Sequence, residues 1–258
     1  MHESPIIVVG GLNIDLSIVI MLLVSGIITF IIARLGVRNL SVDRPGKMQN
    51  FMEWLVEFVR NTIASAMPMK YGKSFVSLGM TLIMFIFVSN LLGLPFAIIT
   101  EHDQPVEAIA TANSEVFEEL KAKGEEHPHV GLLWWKSPTA DLSVTFGLAL
   151  VMFVLIQYLA FTRNRKHYLK HYFEPFWFFF PLNLIKEIAK PITLGMRLYA
   201  NIYAGEILIS TIIGASFFGI PLLIAWQGFS IFIGAIQAFL FTMLTMVYIA
   251  QASVHEEH

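Results

Sequence analysis

The sequence predicts an all-α integral membrane protein with about five membrane helices, the last two forming a long, steeply tilted hairpin. Three observations carry this. The 258 residues are 56% hydrophobic and only 14% charged, whereas a soluble domain is nearer a quarter charged. The mean hydropathy is +0.66. Several uncharged runs reach the roughly 20 residues needed to cross a bilayer. The charge deficit excludes a disordered chain, a nucleic-acid partner and an ordinary cytosolic enzyme. The formal net charge of −2 gives no bulk attraction to an acidic partner. With no cysteine in the chain, disulfides, thiol catalysis and thiolate metal sites are excluded, and the redox compartment stays undetermined.

The first span is expected over 16–33, an uncharged run between Asp15 and Arg34. Its flank carries Glu3 and Asp15 rather than positive charge, and no A-x-A site follows, so it reads as a retained span and not a signal peptide. An interfacial helix is expected over 47–66, after the breaker Arg44-Pro45-Gly46. Its segment Phe51 to Arg60 alternates apolar and charged residues at helical spacing, which suits a helix lying on a membrane surface. The second span is expected over 74–100 and the third over 142–162, with an acidic loop, 101–141, between them. Within that loop Glu107 to Lys123 has a helical pattern, and Trp134 and Trp135 suit an aromatic belt.

The uncharged run Ile207 to Val254 is 48 residues long, enough for more than one element. Gly214, Gly219 and Pro221 mark a break, giving helices at 176–213 and 222–252. The first would be roughly 55 Å long at 1.5 Å per residue, against a hydrocarbon core of about 30 Å. It must tilt, bend or run partly along the interface. The whole chain, 1–258, is one membrane domain, and no internal repeat supports an inverted-repeat transporter.

Loop charges set the orientation. The segment Arg34 to Lys73 carries seven Lys/Arg against three acids, and Arg163 to Pro175 carries four basic residues. The loop Glu101 to Asp141 has three lysines against nine acids. The positive-inside rule then puts the first two in the cytoplasm, the N-terminus outside and, after five crossings, the C-terminus inside.

The chemistry concentrates in Pro181 to Glu206. Arg197 lies deep in an apolar helix, where insertion scales charge about 2.5–3.5 kcal/mol for arginine. A guanidinium stays charged at physiological pH, so it needs a carboxylate, water or both. At about 100° per residue, Asn201 and Lys190 share the Arg197 face, and Glu206 points to the opposite side. Arg197 and Glu206 are therefore not a local ion pair. Blander readings stand beside these: Arg197 snorkelling or pairing with Asp141, Glu206 as an interfacial residue, and Lys186, Glu187 and Lys190 as a solvated turn. Gln227 and Gln237 would be inter-helix hydrogen-bonding amides.

Pro181-Leu-Asn-Leu-Ile-Lys-Glu-Ile-Ala-Lys-Pro-Ile-Thr-Leu-Gly-Met-Arg197-Leu-Tyr-Ala-Asn201-Ile-Tyr-Ala-Gly-Glu206 resembles the signature of subunit a of the F-type ATP synthase, the stator half of its proton channel. Asn90 to Pro95, Ser137 to Thr145, Ile236 to Phe239 and Thr245 to Tyr248 add family-like motifs in order. The resemblance covers Ser74 to the C-terminus and, more loosely, the first span. It implies two offset half-channels, and a ring of subunit c whose carboxyls pass Arg197. It also implies a peripheral-stalk subunit b, a soluble ATPase sector acting through the complex, and a bacterial plasma membrane. Carried over by position, Arg197 is the essential charge and Glu206 lines the outer half-channel. Asn201 and Gln237 shape hydration near Arg197, Asn90 and Asp141 are weaker channel-wall candidates, and Lys190 and Glu187 lie towards the cytoplasmic exit. Some family members have histidine seven residues before the last-helix glutamine. Here that position is Ser230, so the outer path is expected to rely on Glu206 and water.

The resemblance implies no cofactor and no nucleotide site on this chain, which would be a non-catalytic channel subunit of an enzyme complex. Gly72-Lys73-Ser74 lacks the first glycine of a phosphate loop, since Met67 stands there. His167 and His171 have metal-compatible spacing but sit among basic residues, and His127, His129, His255 and His258 sit in polar stretches. Two other classes compete: a secondary ion-coupled transporter, and a purely structural membrane subunit.

Overall fold

The computed structural model describes residues 2–10, 12–93, 99–102, 130–163, 176–213 and 219–253. Its long helices are α1 (Leu16–Gly36), α2 (Lys47–Ala66), α4 (Val76–Leu92), α5 (Leu142–Arg163), α6 (Phe180–Ile213) and α7 (Gly219–Ser253), with a short α3 (Met69–Gly72). The strands β1 (His2–Glu3), β2 (Ile6–Val9), β3 (Leu12–Asp15), β4 (Ile99–His102) and β5 (Val130–Leu133) lie together at one end of the bundle. There β5 pairs parallel with β1 and antiparallel with β4, while β2 and β3 form a separate hairpin. Gly10, at φ 61°, supplies the left-handed backbone this hairpin needs.

Asp15 ends the hairpin and starts the first helix. Its carboxylate accepts the backbone N–H of Ser17 at 3.0 Å, a side-chain N-cap. It also pairs with Lys136 at 2.5 Å, and Lys136 Nζ donates to Ser4 Oγ at 3.0 Å. Burial works against the Asp15 charge. The hydrogen bonds from Lys136, Ser17 and Ser4, with the Lys136 charge, outweigh it and hold the carboxyl below its ordinary range.

The run 74–100 is not one helix. The helix α4 stops at Leu92, and Ile99–His102 is a strand. Gly93 and Pro95 follow the last turn, and the residue before a proline is disfavoured in helical conformation. The last helix begins at Gly219 rather than 222. Pro221 falls in its first turn, where no N–H is required. The expected helical pattern at Glu107 to Lys123, all the weighed histidines and the basic segment 164–175 lie outside the described residues.

Helix α2 lies across α1, α4 and α7 and buries Met52, Leu55, Val59 and Ile63, spaced three and four apart. Phe51, Trp54 and Phe58 run along it to Phe239 of α7, with ring centroids 6.2, 5.7 and 5.5 Å apart in turn. The core continues through Leu82, Ile86, Met152, Ile156, Leu198, Phe241 and Met246. Outside it, the helices display large apolar side chains: Leu23 and Phe30 of α1, Val151 and Val154 of α5, Ile224 and Phe232 of α7 are all exposed. Exposed apolar faces of this extent need lipid or protein cover.

By length and composition, helices covering Leu16–Gly36, Met69–Leu92, Leu142–Arg163 and Ile220–Ser253 can cross a membrane. Helix α6 is outside that set because it carries Lys186, Glu187, Lys190, Arg197 and Glu206. At 34 residues it is about 50 Å long, and it packs antiparallel against α7 and against α5.

Candidate functional site

One side of α6 is fastened. Leu194 and Leu198 are 3% and 0% exposed. Between them Gly195 faces α5, where an added Cβ would lie 3.3 Å from the Phe146 ring. The small residue lets the two helices approach closely. The other side is open: Met196, Arg197, Ala200, Asn201, Tyr203 and Ala204 are exposed. Among the described residues, no carboxylate and no hydrogen-bond acceptor pairs with Arg197, and Asp141 is not its partner. A full positive charge within a membrane helix calls for compensation.

One turn on, Asn201 Nδ2 donates to Gln237 Oε1 at 2.8 Å, bridging α6 and α7. Gln237 is 1% exposed and its Nε2 has no partner. The amide expected beside Arg197 is thus held by α6 and keeps a free donor. Beyond this bridge, Asn90, Asn201, Gly205, Trp226, Ser230 and Ile233 line a small pocket of about 30 Å³. Glu206 follows Gly205 in α6; its side chain is outside the described residues.

Asn90 is 4% exposed, and both ends of its amide are used. Its Nδ2 donates to Gly234 O at 3.0 Å, and its Oδ1 accepts from Thr139 Oγ1 at 2.6 Å. Opposite partners fix which way the amide points. Ser137 Oγ lies 2.7 Å from Thr139 Oγ1 and 2.9 Å from Ser89 O. Two hydroxyls carry two hydrogens, so at most two of these three hydroxyl contacts form at once. The network fastens α4 to α7 and to the turn before α5. Asp141 sits outside it: its carboxylate accepts Ser143 N at 2.8 Å and caps α5.

At the other end of α6, Glu187 is 8% exposed. It pairs with Lys190 at 2.7 Å and accepts Gln157 Nε2 of α5 at 3.3 Å. Lys190 Nζ stands 5.2 Å from the Tyr248 ring of α7, within cation–π range. Pro191, next in sequence, has no N–H, so the Glu187 carbonyl loses its helical partner there. Three helices therefore meet at one compensated ion pair rather than at a solvated turn.

Comparison with known proteins decides the family. A family model described as ATP synthase A chain matches residues 18–250. The chain belongs to the ATP synthase A chain family. A protein of Lysinibacillus sphaericus (strain C3-41) named ATP synthase subunit a is 46% identical over 266 residues, covering 100% of this chain and 99% of that protein. The protein of the same name from Priestia megaterium (strain ATCC 12872 / QMB1551) is 45% identical over 266 residues, with 100% and 99% covered. That from Bacillus subtilis (strain 168) is 42% identical over 262 residues, with 95% of each chain covered. The likeness carried by Pro181 to Glu206 thus extends over the whole chain, and this ATP synthase A chain family member is a multi-pass, all-α membrane protein.

Within this A chain fold, Asn201 and Gln237 pair at mid-hairpin one turn along α6 from Arg197, Asn90 and Ser230 join Asn201 at the pocket, and Glu187 with Lys190 form a separate cluster. Sequence reasoning passed over Ser89, Gln157 and Trp226, and took Ser137, Thr139 and Tyr248 only as parts of motifs. Gln157 carried the clearest signal, as the one amide in the uncharged run 142–162.

Proposed function

We propose that this chain is the proton-translocating stator subunit of an F-type ATP synthase membrane sector, with Arg197 as the charge that carboxyls of a rotating subunit c ring pass one by one. The observation that carries the reading is an exposed guanidinium, unpaired among the described residues, on the open face of a long antiparallel hairpin. A nearby fixed cation favours the ionised form of a passing carboxyl. A carboxyl away from it, against lipid, stays protonated. The same cation repels a protonated water wire and so blocks direct leak between the two sides.

Protons enter through an outer half-channel past Glu206, ride the ring and leave by an inner half-channel near Glu187 and Lys190. The pocket beside Gly205 supports the first route. The half-buried ion pair at the opposite end of α6 supports polar character along the second. Each proton crossing 100 mV supplies about 2.3 kcal/mol, so several accumulate per ATP made. The loop charges put the N-terminus outside and the C-terminus in the cytoplasm of a bacterial cell. A peripheral-stalk subunit b and the soluble ATPase sector complete the complex.

ATP-driven acidification of inverted vesicles carrying Arg197→Ala tests the reading, with assembly checked by co-purification. The expected result is loss of pumping with the complex intact. Pumping at the wild-type rate refutes the assignment, and joint loss of pumping and assembly reduces Arg197 to an assembly contact.

A further inference from the structure

Among the described residues, three hydrogen-bonding atoms on one face of α7 are buried without a partner: Trp226 Nε1, Ser230 Oγ and Gln237 Nε2. Their spacing of four and then seven residues puts them on a single stripe, about 16 Å long. Ile233 continues the stripe, and Trp226, Ser230 and Ile233 all line the pocket beside Asn201 and Gly205. Native structures rarely leave buried donors unmade, and several of them beside a cavity of about 30 Å³, room enough for water, point to water.

The neighbouring amides are not their partners. Asn90 is committed to Gly234 and Thr139, and Asn201 Nδ2 to Gln237 Oε1. We propose that Trp226 is a positioning residue of the ion path, its indole N–H anchoring a row of water that runs past Ser230 towards Gln237. The inference rests on the stator reading above and deepens it, because it says what orders the outer path where Ser230 stands.

The chemistry divides cleanly. An indole N–H only donates, so it fixes the orientation of the water whose oxygen it holds. A serine hydroxyl both donates and accepts, so it can take part in the row. A proton joins the row at one water oxygen and a different proton leaves from another. Neither Trp226 nor Ser230 changes its own protonation state.

The test uses the whole complex in inverted vesicles, and the membrane sector after the soluble sector is stripped off. Trp226→Phe keeps an aromatic ring and deletes the donor. Its passive proton conductance should fall roughly 2- to 10-fold, the scale of one lost hydrogen bond. Trp226→His returns an N–H, and should restore conductance with a new pH dependence around the ordinary imidazole range, about 6.5. A ring that only packs would give no such dependence. Conductance of Trp226→Phe equal to wild type overturns the proposal. If it does so while Arg197→Ala no longer pumps, the stator reading stands and only the role of Trp226 is lost; if Arg197→Ala pumps normally, the stator reading itself fails.

Should Trp226→Phe fail to assemble, the cysteine-free chain offers a second measurement. Ser230→Cys is treated with a small, membrane-impermeant, cationic thiol reagent. Modification from the aqueous side supports a water row at Ser230, and an inert thiol overturns it.

Discussion

Arg197 is held by what surrounds it rather than by what touches it. Leu194 and Leu198 bury the back of its helix, and the bridge from Asn201 to Gln237 fixes the helix face one turn away. That bridge has a measurable strength. A side-chain hydrogen bond contributes about 0.5–1.5 kcal/mol net, and an abandoned buried partner costs about 1–3 kcal/mol. Gln237 is the more buried of the two, so Asn201→Leu strands a buried carbonyl while Gln237→Leu strands only an exposed amide. In thermal melts of the complex, Asn201→Leu should destabilise more, and the double variant should lose less than the two singles summed. Strict additivity would show that the amides do not act as a pair. The shared face of Arg197 and Asn201 follows from spacing alone. Nothing in spacing pairs Asn201 with a residue 36 positions away; the resemblance supplied that neighbourhood.

At the scale of elements, the close approach of α5 and α6 depends on Gly195, two residues before Arg197. A Cβ there would sit 3.3 Å from the Phe146 ring and 3.4 Å from its Cα. Gly195→Ala should be tolerated with a small shift. Gly195→Val adds branches that meet the Phe146 backbone, and overpacking of this kind costs about 1–3 kcal/mol. Proton pumping and thermal stability should both fall in the valine variant and change little in the alanine variant. Equal behaviour of the two would mean that the helices are free to separate. Helix positions were legible because uncharged runs and Gly/Pro breaks are local signals. The stop at Leu92 was hidden by an uncharged run that continues to Thr100. The cluster at Glu187 was hidden for another reason: a solvated turn and a three-helix junction have the same sequence, and only Gln157 and Tyr248 distinguish them.

Across the whole molecule, Lys136 ties the turn before α5 to Asp15 at the start of α1 and to Ser4 before the first hairpin. The Asp15 carboxyl titrates below its ordinary value in the folded chain, so the unfolded chain binds its proton more readily. The resulting stability is complete above the unfolded value, about 3.9, and is lost as pH falls through the lower folded value. Wild type should therefore melt above Asp15→Asn at neutral pH, with the difference closing in strong acid. A difference that widened on acidification would contradict the sign. No local pattern in the sequence joins residues 121 positions apart, so this tie was not legible, although both residues flank predicted spans.

The fastenings of the α6–α7 hairpin also have a mechanical meaning. Glu187 grips α5 near one end, and at the middle Asn90 grips Gly234 of α7 within one turn of the Asn201–Gln237 cross-link. A surface swept sideways by a turning neighbour bears a shear load with every step. A beam clamped near one end and braced at its centre deflects less than one held by greasy contacts that slide. The polar ties thus give the hairpin stiffness, and stiffness keeps Arg197 at a constant distance from whatever moves past it.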